Sequence, residues 1–108
     1  MTLKPQVFIT GATGYVGGRL RQQLEEQGYP VRCLVRTKSS IPVNYPKSTQ
    51  YIVHDKRNPL VKALAGVDIA YFLIQTSENT GDLDRNLAEQ FAKAAAIAKV
   101  KKIIYLGG

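Results

Sequence analysis

The stretch Val7-Phe8-Ile9-Thr10-Gly11-Ala12-Thr13-Gly14-Tyr15-Val16-Gly17-Gly18 constrains the fold more than any other part of the chain. An apolar run rich in β-branched residues enters glycines spaced three apart, and an amphipathic pattern begins at once. That is the sequence form of a strand, a tight turn and a helix whose N-terminus is bare. Backbone N–H groups at such a terminus have no intrahelical partner and carry partial positive charge, so they suit a diphosphate. Each glycine has its own expected task. Gly11 allows the sharp exit from the strand, Gly14 admits phosphates to the backbone, and Gly17 lets the helix lie close to the sheet. The spacing is Gly-x-x-Gly-x-x-Gly rather than the commoner Gly-x-Gly-x-x-Gly.

The rest of the chain repeats the strand–helix alternation. Gln6 to Thr10 reads as a buried first strand. Val16, Leu20 and Leu24 then mark the inner face of the first helix. Gly28 is its expected C-cap, and Tyr29-Pro30 cannot continue it. Val31 to Arg36 reads as a second strand with Cys33 as a small buried hydrophobe. Between Thr37 and Thr49 there is no periodicity, so loop replaces a second full helix. Gln50 to His54 follows as a third strand. Asn58 is expected to cap a short helix that has Pro59 in its first turn, carries Leu60 and Leu64, and stops at Gly66. Ile69 to Ile74 is a fully apolar fourth strand. After a polar loop, Asp82 is placed to cap the longest helix, with Leu83, Leu87, Phe91, Ala94, Ala95 and Ala98 on its buried face. Ile103 to Leu106 forms the fifth strand.

Parallel strands joined by right-handed crossovers follow from this alternation. The expected fold is an α/β, Rossmann-type doubly wound parallel sheet of five strands in the order 3-2-1-4-5. Residues 1–108 are read as one domain, since 108 residues build one core but not two. The chain stops where a doubly wound fold is about half to two thirds built. Strand five is then an open apolar edge, which invites self-association.

No apolar run approaches the ~20 residues that span a bilayer, and no apolar leader precedes the first strand. One cysteine excludes an internal disulfide framework. No membrane partner and a cytoplasmic location are therefore expected. The net charge of +7 is scattered along the chain without a basic stripe interleaved with aromatics, which argues against nucleic acid. Solvated surface charge accounts for most of it, and a phosphate-rich ligand for a subset.

In an open α/β sheet the ligand lies beyond the carboxyl ends of the strands, where the strand order reverses. Strand one contributes Gly11, Ala12, Thr13, Gly14, Tyr15, Val16 and Gly17. At the end of strand two an NAD site usually holds an acid for the ribose hydroxyls. Here Val35 occupies that place, followed by Arg36-Thr37-Lys38. A guanidinium grips a 2′-phosphate that an acid would repel, so NADP is favoured, with NAD the alternative cofactor. Arg36 and Lys38 also read as solvated charges at the start of a loop. After strand three, Asp55 and Lys56 are candidates near the adenine, although Asp55 is an equally good turn residue. Leu73, Ile74 and Gln75 end strand four beside the ribose and nicotinamide half. His54 has no partner at metal-ligand spacing, and no metal site is expected.

The segment Thr10 to Gly17 resembles the cofactor loop of the atypical and extended short-chain dehydrogenase/reductases. Val31 to Arg36, Gly66 to Leu73, Asp84-Arg85 and Ile103 to Gly108 are similar to the NmrA-like and complex I subunit-like branches. The resemblance covers essentially the whole chain and implies a domain binding NAD(P), as in reductases, epimerases or redox-sensing regulators. It also implies a Tyr with a Lys four residues later as the proton-transfer device. Four residues after Tyr15, Tyr29, Tyr45, Tyr51 and Tyr71 stand Arg19, Cys33, Thr49, Asp55 and Gln75, and Tyr105 lies too near the end. Tyr15 and Arg19 come nearest, on the cofactor helix. Gly107-Gly108 stand where many relatives carry a catalytic Ser, and the substrate-binding part of the family is absent. No catalytic residue is therefore assigned. Two readings stay open: the cofactor-binding portion of an oxidoreductase or epimerase, and a non-catalytic redox-sensing or structural module. A flavodoxin-like domain would need a loop richer in Ser and Thr.

Overall fold

A computed structural model describes residues 4–11, 14–54, 59–74 and 81–107, with the backbone alone at 74, 81–87 and 106–107. Five parallel strands form one sheet: β1 (Val7–Thr10), β2 (Val31–Val35), β3 (Thr49–Val53), β4 (Ile69–Ile74) and β5 (Lys102–Gly107). Their order is β3-β2-β1-β4-β5, as expected. Helix α1 (Tyr15–Glu26) covers one face, and α2 (Leu60–Ala63) and α3 (Gly81–Ile97) cover the other.

Alternation along the strands explains the two cores. Val7, Ile9, Val31 and Cys33 point toward α1, where Leu20 and Leu24 pack on them. Phe8, Ala70 and Phe72 point the other way and meet Leu64, Phe91, Ala94 and Ala95. Phe91 stacks on Phe72 with ring centres 4.4 Å apart and lies tilted against Phe8 at 5.9 Å. The expected role of Phe91, Ala94 and Ala95 thus holds. Leu83 and Leu87 lie in the part of α3 described by backbone alone, as does the Asp82 side chain.

Three details differ from expectation. Val16 is 57% exposed; the inner stripe of α1 is Gly17, Leu20 and Leu24, and Gly17 is its buried member. Helix α2 begins one residue late, with Pro59 as its N-cap at φ −65° and ψ 159°, and Asn58 lies outside the described residues. β3 starts at Thr49, which is buried because its hydroxyl donates to Glu25 Oε2 at 2.5 Å. The segment between β2 and β3 holds only a 3₁₀ turn, Lys38–Ser40, so loop does replace a helix there. Gly28 ends α1 at φ +83°, directly after the C-cap residue Gln27.

Arg32 has an unforeseen structural task. From β2 its Nη1 donates to the carbonyls of Ala63 and Ala65 at 2.8 and 2.7 Å, closing the C-terminal end of α2 from a different element. Its Nε donates to Gln50 Oε1 at 3.2 Å. Burial lowers the guanidinium pKa, and the carbonyls hold the charge in place. Arg32→Met is expected to lose about 1–3 kcal/mol, the range for leaving partly buried acceptors without a charged donor. Urea unfolding measures this as a lower midpoint at unchanged slope. A change below about 0.5 kcal/mol is that of an ordinary surface substitution and would reject the capping role.

Candidate functional site

Beyond Ile9 and Tyr71 the ladder between β1 and β4 ends, whereas β1 stays paired with β2 as far as Thr10↔Leu34. β4 continues against β5 to Ile74↔Gly107. The sheet therefore opens between β1 and β4 at its carboxyl edge, the point where strand order reverses and where α/β sheets take ligands.

A side chain holds this opening. Leu73 N donates to Thr10 Oγ1 at 2.9 Å, so a hydroxyl takes the place of the next backbone acceptor and sets the spacing of the two strands. Thr10 is absent from the residues expected at the site. Its signal is a hydroxyl at the last position of a strand, which sequence alone does not separate from an ordinary β-branched residue.

The glycine turn follows at once. Gly11 has φ +69°, a conformation that side-chain-bearing residues rarely adopt. Gly14 N closes the turn onto Gly11 O at 3.0 Å. Gly14 is then the N-cap of α1, with no side-chain cap and no acid in the first helical turn. Among the described residues the first bond of the helical ladder runs from Gly18 N to Gly14 O at 2.8 Å. Tyr15, Val16 and Gly17 stand in the first turn of α1, where backbone N–H groups lack the partners that the helix interior supplies. Gly17 sits against the turn so closely that a Cβ there would lie 2.0 Å from Gly11 O and 2.7 Å from Leu73 Cδ1. A Cβ at Gly11 would lie 3.3 Å from the same Leu73 Cδ1. Thr10, Gly11, Gly17 and Leu73 thus form one packed support beneath the helix start.

Arg36 follows β2 directly. It is exposed, and no hydrogen bond or ion pair engages its side chain among the described residues. Lys38, two residues further on, also lines an open groove of about 780 Å³ on the α2 face, with Arg32, Gln50, Ile52 and Lys62. Tyr15 and Val16 are exposed on the first turn of α1. Leu73 is half-buried, and Ile74 is placed by its backbone. Ala12, Thr13, Asp55, Lys56 and Gln75 lie outside the described residues. His54 is exposed, and its N–H donates to Val35 O at 2.9 Å. Among the described residues no group of His, Cys, Asp or Glu could hold a metal ion, and no helix is long and apolar enough to cross a membrane.

Cys33 belongs to the core rather than the site. It is fully buried, and burial pushes its thiol up to about 12, with Arg21 opposing and Glu25 reinforcing the shift. A thiol held protonated is a poor nucleophile.

Residues 11–108 match the NAD(P)H-binding family. The chain is 31% identical to the auxiliary protein GraX of Staphylococcus aureus over 116 aligned positions, covering 98% of this chain and 37% of that protein. A Rossmann-fold NAD(P)-binding family protein from Shigella flexneri aligns with a TM-score of 0.73 and 28% identity, over 94% of this chain and 50% of that one. A double mutant of NmrA shares the fold, with a TM-score of 0.77 at 21% identity over 96% of this chain and 33% of that one. The chain therefore spans from about a third to half the length of these relatives.

Proposed function

The chain belongs to the NAD(P)H-binding family of Rossmann domains, of the atypical short-chain dehydrogenase/reductase type, and on that premise we propose that it binds NADP in preference to NAD. The observation that carries the preference is Arg36. An exposed guanidinium with no partner among the described residues follows β2, directly after Val35, which stands where an acid would favour a free 2′-hydroxyl. The dinucleotide lies with its diphosphate over Gly11, Ala12, Thr13, Gly14, Tyr15, Val16 and Gly17. Its 2′-phosphate meets Arg36, with Lys38 as an auxiliary cation. Asp55 and Lys56 flank the adenine, and Leu73, Ile74 and Gln75 flank the ribose and nicotinamide half. Calorimetric titration with NADPH and with NADH tests the preference. Tighter binding of NADPH is expected, and equal affinities would overturn it.

Residues 1–108 act in this reading as a cofactor-binding portion of an oxidoreductase or epimerase. The second reading, a redox-sensing or structural module, is favoured by one sequence fact: no Tyr stands four residues before a Lys. A cytoplasmic location accords with the single, buried thiol. Among the described residues β5 is an edge strand, which supports pairing with a second copy of this chain, because an unpaired edge offers its backbone groups to another strand. Light scattering at micromolar concentrations is expected to find dimers or larger species, and a clean monomer would contradict this.

A further inference from the structure

The near-miss pair Tyr15 and Arg19 places a cation beside the phosphate loop that the reading above leaves unassigned. Arg19 sits one turn into α1 and turns back toward the helix start. Its Nη1 donates to Tyr15 Oη at 2.9 Å, and its Cζ lies 5.3 Å from the centre of the Tyr15 ring. Four helical residues span about 6 Å along the axis, so this return brings the guanidinium level with the first turn. Both side chains are exposed, Tyr15 to 77%.

Its partner is what sets Arg19 apart. Arg21 is paired with Glu25 at 2.5 Å, and Arg32 is held by two backbone carbonyls. Arg19 rests, among the described residues, on a neutral phenol alone. Such a contact is easily exchanged for an anion, which a guanidinium binds with shorter and stronger hydrogen bonds. The site has need of that charge. Thr10 to Gly18 contains no charged residue, the first turn of α1 has no acid to compete, and the helix terminus supplies only about half a unit of positive charge. A diphosphate carries a negative charge on each phosphorus.

We infer that Arg19 binds the diphosphate of the dinucleotide, exchanging the Tyr15 hydroxyl for phosphate oxygens. The inference rests on the dinucleotide reading above and adds a residue to it. It differs from the role of Arg36 in a measurable way: the diphosphate is common to NADPH and NADH, whereas the 2′-phosphate is not.

Calorimetric titration of wild type, Arg19→Gln and Arg19→Lys with both cofactors tests it. Arg19→Gln is expected to weaken NADPH and NADH by the same factor, about tenfold, and Arg19→Lys to recover part of the loss. Because Arg19 is exposed, the variants should retain the far-ultraviolet circular dichroism of wild type. If Arg19→Gln binds both cofactors within about twofold of wild type, or loses NADPH alone, the assignment to the diphosphate fails while the dinucleotide reading stands. Wild type that binds neither cofactor overturns both.

Discussion

Gly17→Ala is expected to destabilise the chain by about 1–3 kcal/mol and to weaken dinucleotide binding by at least about tenfold. Two effects oppose each other at this position. Alanine is the better helix former by ~1 kcal/mol, so in an exposed helix the change would stabilise. Gly17, however, is buried, and the added Cβ would stand 2.0 Å from Gly11 O and 2.7 Å from Gly11 C. Those obstacles are backbone atoms of a turn fixed by φ +69° at Gly11 and by Gly14 N bonding Gly11 O. They cannot rotate aside as the Leu73 side chain can. Relief requires moving the start of α1 away from β1, which spoils the aim of its first-turn N–H groups. The crowding therefore outweighs the propensity gain. Chemical unfolding and cofactor titration of the same variant measure both consequences. A Gly17→Ala chain more stable than wild type, with undiminished binding, would show that the loop does not depend on this contact.

Arg36→Ala is the second large effect, and it falls on one cofactor. NADPH is expected to lose about 1.5–3 kcal/mol, the worth of a hydrogen-bonded contact to a charged group. At 1.36 kcal/mol for each factor of ten, that is at least about tenfold in Kd. NADH lacks the 2′-phosphate and is expected to change little. Stability should also change little, since Arg36 is exposed and engages no described residue. Equal losses for the two cofactors would remove the argument for NADP and leave Arg36 as a general cation near the site.

Much of this was legible in the sequence, for identifiable reasons. Strand number and order follow from apolar runs interrupted by helical patterns, and the apolar β4, Ile69–Ile74, could be read to the residue. Gly11 and Gly17 were readable because only glycine fits a turn with positive φ and a helix pressed onto it. Val16 lies off the inner face because an i, i+4, i+8 series drifts around a helix of 3.6 residues per turn. The inner stripe runs instead through Gly17, which carries no apolar side chain to mark it. Thr49 reads as loop by its polarity, and only Glu25, 24 positions away in the chain, makes its burial favourable. The same limit applies to Thr10, which meets Leu73 across 63 positions, and to Arg32, which meets Ala63 across 31. Each is a polar side chain whose partner is supplied by tertiary structure, so local pattern carries no trace of the contact. Tyr15 and Arg19 are the opposite case. Their i, i+4 spacing puts them on one helix face, and what the structure adds is that the arginine leans toward the helix start.

In the proposed complex a dinucleotide binds where β1 and β4 part, over the glycine turn and within reach of Arg36. Titrating the isotopically labelled chain with NADPH and following its backbone amides by NMR locates the bound cofactor. The largest shifts are expected at Gly11, Gly14, Tyr15, Val16, Gly17 and Arg36, with Gln50 and Lys62 in the α2-face groove little changed. Saturable shifts confined to that groove, or none at the glycine turn when the cofactor is in excess, would contradict it.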